Sequence, residues 1–119
     1  LILVDISNNE IDENMPSSMI LNSSQNLYVV MRYNKLYGTI SDTLFRNSTI
    51  VLDLAGNRIS GTIPTTIKTA VNLQQLVLND NMLSGDISSL ENVAFSNLYK
   101  LSLSNNNFSG VIPFFTMLN

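Results

Sequence analysis

Two tyrosines and an arginine lie close together in the chain, at Tyr28, Arg32 and Tyr33. Aromatic rings and guanidinium groups are the side chains that contribute most to binding hot spots. Catalytic chemistry has few candidates, because the chain contains no His and no Cys and so lacks an imidazole base, a thiolate nucleophile and zinc ligands of these types. The side chains therefore indicate a binding protein that is not an enzyme and uses no cofactor.

The charge balance argues against a polyanionic partner. The chain has 6 basic and 9 acidic residues, a formal net charge of -3, whereas nucleic-acid binding needs clustered Lys and Arg. No nucleic-acid partner is expected. Four acidic residues near the start, Asp5, Glu10, Asp12 and Glu13, do not have the spacing of a calcium-binding loop. A solvated turn is favoured over a cation site, and no metal is predicted.

The elements that must position these side chains form a tandem repeat. Residues 1–16, 26–41, 49–64, 73–88 and 98–113 share the template LxxLxLxxNxLSGxIP, and their central asparagines are separated by 25, 23, 24 and 25 residues. The predicted organisation is one array over residues 1–119, with approximate repeats 1–25, 26–48, 49–72, 73–97 and 98–119. The central asparagines are Asn9, Asn34, Asn57, Asn81 and Asn106.

Apolar residues fill the positions five and three before, and two and six after, every central Asn. Alternating apolar residues before the Asn predict a short strand, and stacked coils would pair these strands in parallel around one shared core. The Asn side chains are expected to form a ladder that bonds backbone groups at the turn. Gly four residues later suits a turn with positive φ. Residues 65–72 suit an irregular or 3₁₀ turn on the outer side.

The template resembles the leucine-rich repeat, and its LSGxIP half is similar to the plant subclass of extracellular receptor-like kinases, receptor-like proteins and polygalacturonase-inhibiting proteins. The best matches are LDLAGNRISGTIP (52–64) and LSLSNNNFSGVIP (101–113); some protozoan surface antigens carry similar repeats. The resemblance implies an α/β repeat solenoid with short parallel strands on the concave face, irregular or 3₁₀ turns on the convex face, and a second short sheet after the Gly position.

The chain departs from that family in two ways. Complete plant ectodomains usually carry Cys-bearing caps, and without Cys both ends of this array are expected to be uncapped. In the second repeat Asn26 stands where the template has Leu, with Leu27 one place late. This irregularity predicts a local distortion of the coil.

Residues between the apolar strand positions are expected to face the concave surface, in rows about 5 Å apart. The second coil would expose Tyr28, Arg32 and Tyr33 there, with a polar strip beside them. The opposing interpretation is that Tyr and Arg are ordinary decoration, because aromatic residues favour extended backbone. The candidate ligand-binding residues are Tyr28, Arg32, Tyr33, Asp53, Gln75, Asn79, Asp80 and Lys100.

Three sequons make Asn22, Asn47 and Asn107 candidate N-glycosylation sites. They are no more numerous than the high Asn, Ser and Thr content would produce by chance, so they are compatible with secretion without demonstrating it. No run of eighteen apolar residues that could span a bilayer is present.

The leading hypothesis is a non-catalytic recognition module of an extracellular leucine-rich repeat receptor-like protein. It would bind a peptide, protein or wall-derived ligand on its concave face, with a co-receptor ectodomain as a further candidate partner. Its expected location is extracellular or at the cell surface, within a larger parent that is a candidate for membrane anchoring. The alternative is a structural or surface-antigen segment that acts in assembly or adhesion and pairs end to end through uncapped ends.

Overall fold

A computed structural model describes residues 1–17 and 24–113. Within these residues each 3₁₀ turn follows two short strands. The strands are β1 (Ile2–Asp5), β2 (Leu27–Val30), β3 (Tyr37–Thr39), β4 (Thr49–Asp53), β5 (Arg58–Gly61), β6 (Gln75–Val77), β7 (Met82–Asp86), β8 (Lys100–Ser102) and β9 (Asn107–Ser109). The 3₁₀ turns are Asp42–Leu44, Thr65–Thr69 and Ile87–Leu90.

The strands form two parallel sheets, one on each side of the coil. The first has the order β1-β2-β4-β6-β8 and the second the order β3-β5-β7-β9. In the first sheet, equivalent residues of successive coils pair with one another, which confirms the predicted rows. One row contains Leu3, Tyr28, Val51, Gln75 and Lys100. The solenoid architecture predicted from the repeat is therefore present.

The core is built from the apolar positions of the template together with apolar residues of the 3₁₀ turns. In the third coil, Leu52, Leu54 and Ile59 have no exposed surface, whereas Val4 and Ile6 of the first coil are half-buried. The third coil has a described neighbour on each side and the first has one. Burial therefore depends on stacking, as expected of a repeat whose coils cannot bury their apolar rows alone.

The asparagine ladder connects each coil to the one before it. The Asn57 Nδ2 donates to the Leu54 carbonyl of its own coil at 3.0 Å and to the Met31 carbonyl of the preceding coil at 3.0 Å. Its Oδ1 accepts from the Leu36 N–H at 3.0 Å. Asn34, Asn81 and Asn106 repeat this pattern. The predicted ladder is confirmed, and its bonds satisfy buried backbone groups that the turn leaves without strand partners.

The second sheet differs from its predicted position. Its four strands begin one to three residues before the Gly of each repeat, so the expectation of a sheet after the Gly is wrong. At Gly61 the backbone has φ +82, which ends the extended conformation there, and a Cβ would lie 2.9 Å from the Thr39 Cγ2 of the neighbouring strand. The Gly therefore terminates or bends the strand and does not precede it. The Thr65–Thr69 turn confirms the 3₁₀ turn predicted within residues 65–72.

The predicted distortion near the second repeat is a β-bulge. Leu27 pairs with Thr49 and Tyr28 pairs with Val51, so Ile50 is an extra residue in β4. Thr49 is fully buried, and its hydroxyl donates to the Leu44 carbonyl at 2.8 Å and accepts from the Arg46 N–H at 3.2 Å. The Thr49 side chain, with its hydroxyl fully hydrogen-bonded, thus occupies the position of the template Leu. The bulge lies directly beside Tyr28.

Candidate functional site

Each first-sheet strand is followed by a residue in the left-handed region, immediately before the ladder Asn. The values of φ are +58 at Asn8, +56 at Tyr33, +67 at Gly56, +59 at Asp80 and +54 at Asn105. The Tyr33 N–H donates to the Ala55 carbonyl at 2.8 Å, as the Gly56 N–H does to the Asn79 carbonyl at 3.0 Å. The stacking of the coils therefore imposes this conformation on whatever residue occupies the position.

Tyr33 is the unusual member of this left-handed row. Gly, Asn and Asp tolerate positive φ, whereas a bulky side chain in this region is a genuine outlier. Strain of this kind costs on the order of 1–3 kcal/mol, and it is found preferentially at ligand clamps and active sites. The strained residue coincides with one of the candidate binding residues identified from the sequence.

The Tyr33 ring lies against the next coil and remains open to solvent. A Cβ on Gly56 would lie 2.4 Å from the Tyr33 Cδ1, so the ring occupies the space above that glycine. The Arg32 guanidinium carbon is 4.9 Å from the centroid of the ring, and an Arg32 nitrogen donates to the Tyr33 hydroxyl at 3.4 Å. Yet 47% of Tyr33 is exposed. The ring is fixed at its inner side and available at its outer side.

Asp53 holds Arg32 in place. The Arg32 Nη1 is 3.2 Å from the Asp53 Oδ2, and the other Asp53 oxygen accepts from the Ala55 N–H at 3.2 Å. The hydrogen bond to Tyr33, together with the charge of Asp53, raises the pKa of Arg32. Asp53 was expected to contact ligand directly, but it is only 5% exposed. Asp53 is therefore not a ligand contact: it positions Arg32, and its ion pair with Arg32 covers its carboxylate.

Tyr28 lies in β2, and Tyr33 follows that strand in the same coil. Tyr28 is half-buried, in the row of Leu3 and Val51. Bulges re-aim neighbouring side chains and are over-represented beside functional sites. We define Tyr28, Arg32 and Tyr33 as the second-coil cluster. A bulge lies beside Tyr28 at one end of this segment, and the left-handed Tyr33 lies at its other end.

A polar network continues the concave face into the fourth and fifth coils. The Asn79 and Asn105 amides each donate to a different oxygen of Asp80, both at 2.7 Å, and the Ser102 hydroxyl donates to the Asn79 Oδ1 at 3.1 Å. These bonds, that from Asn105 foremost, lower the pKa of Asp80. Its carboxylate is therefore ionised, fixed and exposed.

Gln75 and Lys100 lie at the opposite end of the same strands. The Gln75 Nε2 donates to the Tyr99 hydroxyl at 2.7 Å, and 64% of Tyr99 is exposed. Lys100 is also exposed, and within the described part of the chain its ammonium forms no ion pair. The structure thus separates the polar candidates into two groups, one at each end of the strands.

Three residues of this face were not among the candidate binding residues: Gly56, Tyr99 and Asn105. Tyr99 precedes the strand and so lay outside the rows considered. Gly56 and Asn105 were visible in the sequence, since the position before each ladder Asn reads Asn, Tyr, Gly, Asp and Asn. Four of these five are the residue types that accept positive φ, a signal that could have identified both the turn conformation and the exceptional Tyr33.

The acidic residues of the first coil do not converge. Asp12 forms an exposed ion pair with Arg58 at 2.7 Å, and Asp5 accepts from the Ser7 hydroxyl at 2.6 Å. Among residues 1–17 and 24–113, no three His, Cys, Asp or Glu side chains are grouped to hold a metal ion. In the same residues, no helix reaches the length and apolarity that a membrane span requires.

The sequons lie away from the concave face where they can be placed. Asn47 is exposed, and its Oδ1 accepts from the Asn72 amide at 2.9 Å. Asn107 is exposed at the start of β9, in the second sheet. Asn22 lies outside the described residues.

The candidate residues form a surface strip. A cleft of about 230 Å³ opens elsewhere, between the third and fourth coils, and its lining includes Ile63, Leu90 and Phe108. No candidate binding residue lines it. A strip of fixed side chains crossing several parallel strands suits an extended ligand better than a small enclosed one.

Comparison with known proteins shows that the chain is similar to leucine-rich repeat proteins and to parts of plant receptors. A family model described as Leucine Rich Repeat matches residues 48–70 and 97–117. Receptor-like protein 32 from Arabidopsis thaliana is 30% identical over an alignment of 136 residues in length. The alignment covers 95% of this chain and 15% of that protein.

Two solved plant receptors have the same fold. The Arabidopsis receptor kinase HAESA, in complex with the peptide hormone IDA and the co-receptor SERK1, is 30% identical with a TM-score of 0.82, over 93% of this chain and 18% of the receptor chain. The plant peptide hormone receptor RGFR1, in complex with RGF2, is 30% identical with a TM-score of 0.76 and the same coverage. The chain spans a small part of each protein. With its strand rows, asparagine ladder and LSGxIP repeats, this chain belongs to the leucine-rich repeat family, in the class found in plant receptor-like proteins.

Proposed function

We propose that this chain is a recognition segment of a plant receptor-like protein and binds a peptide or protein ligand on its concave face. The observation that carries the proposal is the half-exposed Tyr33 ring, held in a left-handed conformation that a tyrosine rarely adopts. Such strain points to function when an exposed side chain retains it. Asp53 and Gly56 then fix the neighbouring guanidinium and the ring.

The rigidity of this face favours binding. An anchor that is already ordered loses little rotamer freedom when a ligand arrives, and pre-organisation of this kind raises affinity. Tyr and Arg are also the side chains most often found at the centre of interfaces. The polar network around Asp80 supplies fixed hydrogen-bonding groups beyond the second-coil cluster. An extended peptide crossing the coils would meet both regions.

The similarity to HAESA and RGFR1 supports a peptide or protein as the ligand, since both of those receptors were solved with one bound. In this proposal the segment belongs to the extracellular part of a cell-surface parent. A co-receptor ectodomain is a second proposed partner, because the HAESA complex contains a co-receptor.

The experiment is a selection of displayed random peptides against the 119-residue chain, followed by measurement of Kd for the selected peptides. The double variant Tyr28→Ala with Arg32→Ala is expected to weaken binding about tenfold or more, the effect of losing hot-spot side chains. The matched control is Tyr37→Ala, which removes an exposed tyrosine from the second sheet and should leave Kd unchanged. Equal binding by the double variant and the wild type would remove the concave site from the proposal.

A further inference from the structure

Tyr33, Gly56 and Asp80 occupy the same left-handed position in three successive coils. The Gly56 N–H donates to the Asn79 carbonyl at 3.0 Å and the Asn57 N–H donates to the Asp80 carbonyl at 3.2 Å, so the third and fourth coils remain adjacent at this turn. Side chains at the three positions therefore leave the backbone in the same direction. They form one short row at the edge of the concave face.

Gly56 creates a gap in this row, and Tyr33 leans into it. The Tyr33 Cδ1 lies 2.4 Å from the place that a Gly56 Cβ would occupy. Since Asp80 has the same backbone conformation one coil further on, its Cβ lies about 4.8 Å, one strand spacing, from that place. The ring therefore fills the gap at position 56 and is the next side chain to Asp80 along this row.

The charges of the row favour a cation. Asp80 is ionised and exposed, and the Asn79 and Asn105 amides fix both of its oxygens while leaving it without a cationic partner among the described residues. Arg32, the cation nearest the ring, is already paired with Asp53 at 3.2 Å. Lys100 lies at the start of β8, at the far end of the strands. The negative charge of the Asp80 carboxylate is thus not balanced by a cation among the described residues.

We propose that Tyr33, Gly56 and Asp80 form a subsite for a basic side chain, that of Lys or Arg, in a peptide ligand. The exposed outer side of the ring offers a cation–π surface, the carboxylate offers a charge-assisted hydrogen bond, and the absence of a side chain at position 56 lets the ring lie close to Asp80. The subsite rests on the proposed function, because it assigns one chemical group of the ligand to the same concave face.

The probe is a capped pentapeptide with one central arginine between glycines, compared with its citrulline analogue, which has the same shape and no charge. Binding to the wild-type chain is followed by NMR titration at low salt. The arginine peptide is expected to shift the amide signals of Gly56 and Asp80, with a Kd that rises with added salt. The citrulline peptide should bind at least about threefold more weakly.

Two matched variants locate the carboxylate responsible. Asp80→Asn removes the charge at the subsite with little change of shape and should weaken the arginine peptide about threefold or more. Asp86→Asn removes another exposed carboxylate, which lies at the end of β7 in the second sheet and accepts from the Ser88 N–H; it should leave Kd unchanged. Binding that is equal for arginine and citrulline, absent for both, or unaffected by Asp80→Asn would overturn the subsite.

The outcome is separable from that of the proposed function. Selected library peptides that depend on Tyr28 and Arg32 but are indifferent to Asp80 would leave the recognition function standing and reject the subsite. Library peptides that ignore the second-coil cluster would remove the concave site from the proposed function, whatever the result with the arginine peptide.

Discussion

The ring of Tyr33 occupies the space that a side chain at position 56 would need, with the Tyr33 Cδ1 only 2.4 Å from the site of a Gly56 Cβ. The two residues are equivalent positions in adjacent coils, and both have positive φ. The large member of the pair fits because the other has no side chain. This relationship fixes the most exposed part of the second-coil cluster and links the proposed binding surface to a glycine one coil away.

Substitution of Gly56 by Ala should therefore disturb both stability and binding. The added Cβ must displace the Tyr33 ring, and an Ala at φ +67 is strained, so the free energy of unfolding should fall by about 1–2 kcal/mol. Urea unfolding measures the loss. Gly61→Ala is the control, because it introduces similar strain at φ +82 in the second sheet. Gly61→Ala should destabilise the chain without weakening peptide binding, and equal affinity of both variants would contradict the link.

The strain at Tyr33 predicts an inverted order of small substitutions. Gly is usually less stable than Ala within regular structure, by about 0.5–1 kcal/mol, but a left-handed position favours Gly. Tyr33→Gly should therefore be more stable than Tyr33→Ala by about 1 kcal/mol, as measured by urea unfolding. At Val30, an ordinary residue of β2, the Gly variant should be the less stable one. The same order at both positions would show that Tyr33 is not strained.

Loss of a central ladder asparagine should be far more damaging than loss of the first one. Asn57→Ala leaves the buried Leu36 N–H and the Met31 carbonyl without that side chain, at a cost of about 2–4 kcal/mol. Asn9 is exposed, and among the described residues it donates only to carbonyls of its own coil, those of Ile6 and Ser7. Asn9→Ala should cost less than about 1 kcal/mol. Similar losses in chemical denaturation would argue against the ladder as the link between coils.

Three exposed carboxylates predict a loss of stability in acid. Hydrogen bonds to Asp5, Asp80 and Asp86 lower their pKa values below the ordinary 3.8. As the pH falls, the unfolded chain takes up these protons before the folded chain does. The stabilisation is therefore complete above about pH 5 and is lost as the pH falls through 3.8 towards the folded pKa values.

The melting temperature should accordingly decline between about pH 5 and pH 3. Asp80→Asn removes one of the titrating groups, so its melting temperature should decline less steeply over the same interval. Carbon-13 NMR of the carboxyl groups gives the pKa values directly. An Asp80 carboxyl that titrates above the ordinary value would contradict the role assigned to the Asn79 and Asn105 amides.

The fold was predictable from the sequence because the same pattern of apolar residues and Asn occurs in five successive repeats. The apolar slots around Asn57 determine the strand, the ladder and the buried face, and stacking then determines the rows. The position of the second sheet was not predictable from the LSGxIP pattern. Gly61 has positive φ and lies at the end of β5, whereas the strand was expected after the Gly.

The site was only partly predictable. The sequence predicted that Tyr33 and Asp80 are exposed, and they are, but it could not show that Asp53 is covered by its ion pair with Arg32. That distinction depends on side-chain packing between coils, which a single coil's sequence does not contain. Tyr99 was missed for a related reason, because it reaches the face from outside the strand by bonding Gln75 of the preceding coil.

The most direct test of the concave site uses the four tyrosines of the chain as reporters. Uniform labelling with 3-fluorotyrosine gives one fluorine-19 signal each for Tyr28, Tyr33, Tyr37 and Tyr99, assigned by single Tyr→Phe variants. On addition of a selected peptide, the signals of Tyr28 and Tyr33 should shift, while that of Tyr37 on the second sheet should not. A shift at Tyr37 with Tyr28 and Tyr33 unchanged would contradict recognition by the concave face.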